Sequence, residues 1–194
     1  LVFYTGVDAT RTQGSLLVAK GPDLTRLHEQ EVMLKAPAGE GNIKEATLAQ
    51  GADGRFRLFY EYARENASRI GMAIGPTVQG PWTVVDDPFS IRAGGWDNWH
   101  LSTGPMLTID KDMPVMFYNG ATEDARWRIG WIAFDAEYTR VVDRCIEPLI
   151  APPPKRNRMA VDIAFAASIV AGDEIWLYYS RADEALYRAR IRRS

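Results

Sequence analysis

A short aromatic strand pattern recurs four times along this chain of 194 residues and limits the folds that the chain can adopt. The copies occupy residues 1–6, 57–62, 115–120 and 174–179. The tyrosine that they share lies at positions 4, 60, 118 and 179, so that successive copies are 56, 58 and 61 residues apart. Self-similarity at a period of this length predicts a propeller or another array of repeated units.

Each copy has the sequence neighbours that are typical of a four-stranded propeller blade. Three copies are preceded by apolar runs, at residues 46–49, 104–109 and 163–167. Turn-forming residues lie between each apolar run and the copy that follows it, at 52–54, 110–112 and 171–173. Third strands are predicted at residues 15–19, 69–74, 128–133 and 185–191, with fourth strands at 32–34, 89–91 and 146–150. Because no segment shows helical periodicity, the predicted fold is an all-β propeller.

The number of predicted strands bounds the number of blades. The first unit begins at its second strand and the last unit ends at its third, which predicts about three and a half blades in one domain, residues 1–194. The units are expected near residues 1–41, 42–95, 96–158 and 159–194. An open propeller exposes an unpaired strand edge, so a completing segment is expected. A longer polypeptide with a further N-terminal segment is favoured, and a homo-oligomer is the alternative.

Composition excludes several classes of protein. A net charge of −2 with scattered lysines and arginines argues against a nucleic-acid partner. The single cysteine, Cys145, excludes an internal disulfide framework and a cysteine-rich zinc site, and it suits a reducing compartment such as the cytoplasm. No apolar run approaches the roughly 20 residues of a membrane-spanning helix, so no membrane partner is predicted. Neither a metal nor an organic cofactor is expected.

Polar and aromatic residues gather at the predicted entrances to the inner strands and at the ends of the second strands. Rotation about a propeller axis would bring equivalent positions onto one ring at the channel mouth. Carboxylates and amides hydrogen-bond sugar hydroxyls, aromatic rings cover the apolar face of a sugar, and a carboxyl pair can cleave a glycosidic bond. The candidates are Lys44, Glu45, Trp99, His100, Tyr118, Asn119, Asp162 and Asp183. Leu107 and Phe165 are expected to pack between units instead.

Each candidate also has a purely structural explanation, which the sequence leaves open. Glu45 can be a surface carboxylate paired with Lys44. Asp183 can be a turn residue, and Asp162 can hydrogen-bond the backbone at a strand entry. An isolated histidine such as His100 and the tryptophans can serve packing alone, because aromatic side chains dominate protein cores.

Five motifs, one of them in two parts, resemble glycoside hydrolase family 130 in the same order along the chain. Residues 96–106 and 118–120, Trp-Asp-Asn-Trp-His-Leu-Ser-Thr-Gly-Pro-Met and Tyr-Asn-Gly, resemble the family's Trp-Asp-x-x-Lys-x-Gly-x-Gly-Pro-Pro and Tyr-His-Gly segments. Residues 42–45 resemble its Asn-Ser-Lys-Asp, and 146–149 its Pro-Glu-Pro-Leu. Residues 162–168 resemble its Asn-Val-Val-Phe-Pro-Thr-Gly strand, and 178–183 its Tyr-Tyr-Gly-Ala-Ala-Asp.

The resemblance implies a five-bladed propeller that acts on β-mannosides or related oligosaccharides, by hydrolysis or by phosphorolysis. It implies catalytic roles for Glu45 and Asp183. The family's proton-donating aspartate belongs to a Glu-Asp-Pro-Arg strand that would lie upstream of Leu1, so the chain is expected to lack the first blade and the general acid. A non-catalytic carbohydrate-binding or structural fragment is therefore a second interpretation.

The chain departs from the family at positions that would bind phosphate. His100 stands where the family often has lysine, and Asn119 stands where it often has histidine. Arg11 matches a third basic position, and the alternative is that Arg11 is merely solvated. An anion site is weakened when fixed cations are replaced by a neutral imidazole and an amide. The sequence therefore favours hydrolysis, and inorganic phosphate is expected as co-substrate only if the protein is a phosphorylase.

Overall fold

The computed structural model describes residues 1–7, 13–36, 41–154 and 162–192. Within these ranges the chain forms strands, turns and loops with no helix, so the predicted all-β class is confirmed. No helix in the described part of the chain is long and apolar enough to cross a membrane.

Three groups of strands are regular antiparallel sheets in which neighbours along the chain pair with each other. The first contains β1 (Val2–Val7), β2 (Gly14–Lys20) and β3 (Glu29–Lys35). The second contains β4 (Gly41–Gln50), β5 (Phe56–Arg64), β6 (Ala67–Gly75) and β7 (Thr83–Val85). The fourth group along the chain contains β15 (Ala164–Ala171), β16 (Ile175–Arg181) and β17 (Ala185–Ile191). The predicted hairpins at residues 52–54 and 171–173 join the first two strands of their groups.

The third group differs because its strands are interrupted. Its segments are β8 (His100–Ser102), β9 (Met106–Leu107), β10 (Val115–Met116), β11 (Asn119–Ala121), β12 (Trp127–Ile129), β13 (Ile132–Phe134) and β14 (Val141–Arg144). They form two sheets, β14-β13-β10-β9 and β12-β11-β8. The continuous strands predicted at residues 104–109, 115–120 and 128–133 are therefore broken. Pro105 has no N–H to donate, and a Cβ on Gly104 would lie 1.8 Å from the Phe117 carbonyl oxygen.

Two of the three predicted fourth strands are wrong. The strand expected at residues 89–91 lies instead at β7, and the strand expected at 146–150 lies instead at β14. Pro88 and Pro148 remove backbone donors at these places, and the apolar side chains of Phe89 and Ile91 pack on the core from a loop. The third predicted fourth strand, residues 32–34, lies inside β3.

Both faces of β5 are buried, which explains why its repeat motif is almost continuously apolar. Leu58 and Tyr60 join a cluster with Leu16 of the first group. Phe59 points to the other face and packs in a cluster with Phe134 of the third group. Successive side chains of a strand alternate between faces, so a strand between two neighbouring sheets needs apolar residues at every position. A third cluster, which contains Leu107 and Leu177, joins the third and fourth groups.

The central position of β5 predicts a large loss of stability when its core is truncated. Leu58 is 0% exposed, so we expect Leu58→Ala to lower the free energy of unfolding by about 2–5 kcal/mol. The matched control is Leu24→Ala, at a leucine that is 79% exposed, for which we expect a change within about 0.5 kcal/mol. Urea unfolding measures both values. Equal losses in the two variants would contradict the packing described here.

Candidate functional site

The innermost segments of three strand groups line one cleft with a volume of about 600 Å³. Glu45 and Thr47 come from β4, residues 103–105 come from the break between β8 and β9, and Phe165 comes from β15. Thr47 Oγ1 donates a hydrogen bond of 2.9 Å to the Gly104 carbonyl, and Thr103 Oγ1 donates one to the Glu45 carbonyl. These bonds hold the second and third groups together along the cleft, which we call the central cleft.

A local irregularity of β4 is found where Glu45 lies. The pairing of β4 with β5 shifts register between Lys44 and Thr47, and Glu45 has a positive φ of 52°. A bulge of this kind changes the direction in which a side chain leaves the strand. Glu45 is accordingly open to the central cleft, although an uninterrupted strand would alternate regularly between its two faces.

A buried carboxylate lies next to Glu45. The Glu61 side chain is only 4% exposed, forms an ion pair of 3.3 Å with Lys44 Nζ, and accepts a hydrogen bond of 2.7 Å from Ser68 Oγ. The pKa of Glu45 is raised, first because the surrounding protein desolvates its carboxylate, and second because Glu61 is negatively charged. Lys44 opposes this shift without cancelling it. Glu45 therefore retains a proton more readily than an ordinary glutamate, which suits a group that donates or accepts protons.

His100 belongs to the same cluster as a neutral imidazole. Its Nδ1 lies 3.1 Å from the backbone nitrogen of Ser68 and accepts that N–H, which places the ring proton on Nε2. Burial is the main cause that lowers the pKa of His100, and Arg69 and Lys44 lower it further against the opposing charge of Glu61. His100 can therefore donate a neutral hydrogen bond but carries no charge for an anion.

A row of three half-buried rings runs from His100 to the fourth group. The ring centroids of His100 and Trp127 are 5.5 Å apart, and those of Trp127 and Phe165 are 5.4 Å apart. His100 and Trp127 both pair with Ala121 of β11, which places the two side chains on the same face of the sheet. Phe165, which was expected to pack between units, lines the central cleft. Leu107 packs between the third and fourth groups, as expected.

Asp162 lies behind this aromatic row. Its Oδ2 accepts a hydrogen bond of 2.6 Å from Arg126, and its carbonyl accepts the backbone N–H of Trp127 at 3.0 Å. Arg126 also donates to the Pro152 carbonyl. Because the Asp162 side chain is buried and salt-bridged, the structure gives it a role in holding Trp127 next to Phe165.

Two predicted substrate contacts are corrected by the structure. Tyr118 is buried in the core, where its hydroxyl donates to Asp97 at 2.6 Å and its ring stacks on Trp96. Asn119 is also buried: its Nδ2 donates to the Thr103 carbonyl and its Oδ1 accepts the Ala166 N–H, both at 2.7 Å. Asn119 thus connects the third group to β15. Neither side chain lines the central cleft, because Tyr118 packs on Trp96 and bonds to Asp97, and Asn119 bonds to the backbone of Thr103 and Ala166.

The remaining candidates are separated from this cluster or lie outside the described residues. Asp183 is exposed in the turn between β16 and β17 with a φ of 53°, which fits the alternative that it is a turn residue. Trp99 precedes His100 but lines a different cleft. Arg11, which was predicted to bind phosphate, lies outside the described residues. Among those that are described, no group of His, Cys, Asp or Glu is arranged to hold a metal ion.

Glu61 and Trp127 are the main site residues that sequence reasoning missed. Glu61 is the single acid of β5 and lies between Tyr60 and Tyr62, and a buried charge in such a place usually has a specific partner. Trp127 begins the strand that follows the third repeat motif, so the predicted hairpin alone would have placed it near the channel mouth.

Comparison with known proteins supports the fold. No protein-family model matches the chain, and no curated protein matches it in sequence. Among solved structures, the chain is similar to a β-1,2-mannobiose phosphorylase from Listeria innocua, with a TM-score of 0.76, 20% identity, and coverage of 98% of this chain and 54% of that one. The chain thus spans about half of that phosphorylase.

Two other structures point to the same fold. One is MPT-4, a mannose phosphorylase from Leishmania mexicana, with a TM-score of 0.59, 14% identity, and coverage of 97% of this chain and 62% of that one. The other comes from work on glycoside hydrolases of the GH130 family that target β-1,2-mannosidic linkages in Candida mannan. It has a TM-score of 0.50 and 18% identity, with coverage of 97% of this chain and 79% of that one. The chain has a GH130-like fold.

The electrostatic influence of Glu61 on Glu45 can be tested directly. We expect Glu61→Gln to lower the pKa of Glu45 toward the ordinary glutamate value, since it removes a neighbouring negative charge. Desolvation, the larger cause, would remain, so we expect only part of the shift to disappear. Carboxyl-carbon NMR titration measures this pKa. Glu31→Gln, at an exposed glutamate paired with Lys20, is the control. A Glu45 titration that is identical in wild type and Glu61→Gln would show that the two groups do not interact.

The neutral state of His100 predicts a pH dependence of stability. Its pKa is lower in the folded protein than the ordinary value of 6.5, so the unfolded chain binds more protons as the pH falls through this value. The folded state therefore loses stability on acidification from about pH 7 to 5. We expect His100→Gln to lose less stability over this interval than wild type, measured by urea unfolding. His28→Gln, at the exposed histidine, should behave as wild type does; an unchanged pH dependence in His100→Gln would contradict the assignment.

Proposed function

We propose that this chain is part of a five-bladed propeller that binds and hydrolyses β-mannosides or related oligosaccharides. The observation that carries the proposal is the row of His100, Trp127 and Phe165 beside a cleft that contains Glu45. Because the chain covers 54% of the mannobiose phosphorylase, the activity of the whole protein is part of the proposal. The blade number and the single domain over residues 1–194 are also proposed.

The composition of the cleft suits a neutral sugar. Half-buried rings have one side packed against the protein and can offer the other to the apolar face of a pyranose. The Nε2–H of His100 can donate to a hydroxyl, and the Glu45 carboxyl can accept from one. Ligand pockets typically combine such apolar surface with a few well-placed polar groups, in volumes of about 300–1,000 Å³.

The charges around the cleft favour hydrolysis over phosphorolysis. Lys44 is paired with Glu61, and Arg126 is paired with Asp162. Arg69 donates to the backbone carbonyls of Ser68 and Trp99. A phosphate ion placed near His100 would meet a neutral imidazole and the negative charge of Glu61. The nearby cations Lys44 and Arg69 already have protein partners, whereas phosphate sites need cations that are available to the anion. Water is the better nucleophile for this arrangement.

We assign chemical roles on this basis. Glu45, whose pKa is raised above the ordinary glutamate value by burial and by the charge of Glu61, would activate or orient a water molecule. Glu61 would tune Glu45 from its buried position and anchor Lys44. The resemblance places a further general acid outside these residues, so we propose that the 194-residue chain binds oligosaccharide but does not turn it over. A non-catalytic carbohydrate-binding role is the second candidate, and it is favoured by the position of Asp183, the other predicted catalytic carboxylate, in an exposed turn. Oligosaccharide is the proposed partner, and a cytoplasmic location is retained as a prediction.

Binding of β-1,2-mannobiose, measured by calorimetry on the purified chain, tests this function. We expect Trp127→Ala to weaken binding about tenfold, since loss of an aromatic stacking surface costs on the order of 1 kcal/mol. The control is Trp176→Ala, because this half-buried tryptophan on β16 lines neither cleft and should leave the affinity unchanged. Inorganic phosphate should not change the affinity. A wild-type chain that binds no mannobiose would contradict the proposal, and tight binding of phosphate would favour phosphorolysis.

A further inference from the structure

The outer edge of β6, close to the turn that joins it to β5, meets the start of β8. β7 pairs with β6 only at residues 72–74, so in the described part of the chain no strand pairs with the outer edge of β6 at residues 67–71. Ser68 lies on this edge, and its backbone N–H donates to His100 Nδ1 at 3.1 Å. A backbone group that would bond to a neighbouring strand in a complete ladder thus holds a side chain of the candidate site.

The turn between β5 and β6 determines the direction in which Ser68 faces. Glu65 and Asn66 form this turn with φ angles of 51° and 60°, and a two-residue type I′ turn requires positive φ at both positions. The turn fixes the register in which Ala63 pairs with Ser68. Pairs in an antiparallel ladder alternate between hydrogen-bonded and non-bonded, and this pair is the second after the turn. The N–H and C=O of Ser68 are therefore directed away from β5 and toward β8.

Arg69 closes the junction between β6 and β8. Its Nη1 donates to the Ser68 carbonyl at 2.9 Å and to the Trp99 carbonyl at 2.6 Å. The Trp99 N–H donates in turn to the Ala121 carbonyl of β11 at 3.1 Å. One guanidinium nitrogen thus joins the main chain of β6 to the residue before His100, which keeps the His100 ring within reach of the Ser68 N–H.

The hydroxyl of Ser68 connects this junction to the buried carboxylate of the site. Ser68 Oγ donates to Glu61 at 2.7 Å, so that the N–H, the hydroxyl and the carbonyl of Ser68 bond to three different side chains. The charged groups that act on His100 come from three strands: Lys44 from β4, Glu61 from β5 and Arg69 from β6. Ser68 bonds directly to two of these three groups, Glu61 and Arg69.

We propose that Ser68 and Arg69 are positioning residues that hold His100 in a single tautomer, so that its Nε2–H is a permanent donor to a hydroxyl of the bound sugar. This proposal rests on the proposed function and deepens it. A neutral imidazole has one donor and one acceptor nitrogen, and Nδ1 is already occupied as the acceptor. A ring that is fixed before the ligand arrives loses less conformational freedom on binding than one that changes tautomer and orientation.

NMR of the chain labelled with ¹⁵N-histidine tests this role. The sequence has two histidines, and the resonances of His28 are those missing from His28→Gln. At about pH 8, where an imidazole is neutral, we expect the wild-type His100 ring to carry its proton on Nε2. Arg69→Lys keeps the charge but replaces the planar guanidinium with a flexible ammonium group. We expect this variant to give a mixture of His100 tautomers and to bind β-1,2-mannobiose about threefold more weakly in calorimetry.

Two control variants separate positioning from other effects. Ser68→Ala removes the hydroxyl and keeps the backbone N–H, so we expect the His100 tautomer to remain Nε2–H. Arg55→Lys, at an exposed arginine in the turn between β4 and β5, should change neither the tautomer nor the affinity. Urea unfolding shows whether each variant is folded. The tautomer of the wild-type protein can be measured even if Arg69→Lys does not fold.

The outcomes distinguish this proposal from the proposed function. A wild-type His100 ring that carries its proton on Nδ1, or that exchanges between tautomers, would overturn the positioning role even if mannobiose binds. A folded Arg69→Lys variant with an unchanged tautomer and unchanged affinity would also overturn it. A wild-type chain that has the expected tautomer and binds no mannobiose would overturn the proposed function instead, and the use of Nε2–H for a sugar with it.

Discussion

The buried carboxylate of Asp97 holds the irregular third group of strands together. Asp97 is 0% exposed and accepts hydrogen bonds from Arg92, Arg144 and the Tyr118 hydroxyl. Because the strands of this group are broken into segments of two to four residues, their ladders alone supply few hydrogen bonds. A charge buried in this way is costly unless it is fully paired, and removal of one partner of such a pair typically costs about 3–5 kcal/mol.

The same network determines where the site residues stand. Asp97 is followed closely in the chain by Trp99 and by His100, the first residue of β8. The backbone of β11 packs tightly against Asp97: a Cβ added to Gly120 would lie 2.6 Å from the Asp97 Cβ. Arg144 also donates to the Ser90 carbonyl and lies over the ring of Phe89, which ties the loop after β7 to the third group. The aromatic row begins at His100, three residues after Asp97 in the chain.

Two carboxylates of the second group have different surroundings near the central cleft, and only Glu45 lines it. Glu61 is enclosed, ion-paired and hydrogen-bonded by Ser68, whereas Glu45 leaves β4 at a bulge and opens into the cleft. Burial and the charge of Glu61 raise the pKa of Glu45, and burial lowers the pKa of His100. The neutral imidazole of His100 therefore adds no positive charge to the site, and Glu45 holds its proton more readily than an ordinary glutamate.

The sequence by itself determined the strand repeat, the all-β class and the resemblance to glycoside hydrolase family 130, because period-two and repeat-length patterns survive in the order of the residues. It also predicted Lys44, Glu45 and His100 as site residues, since equivalent strand positions are expected to face one another in an array of repeated sheets. Only the tertiary structure decided that Tyr118 and Asn119 are internal contacts, because their partners, Asp97 and Ala166, are distant in sequence. The roles of Glu61 and Trp127 likewise depend on neighbours from other strands, Ser68 and Phe165. Burial and long-range pairing are properties of the folded arrangement, and no local pattern of residues encodes them.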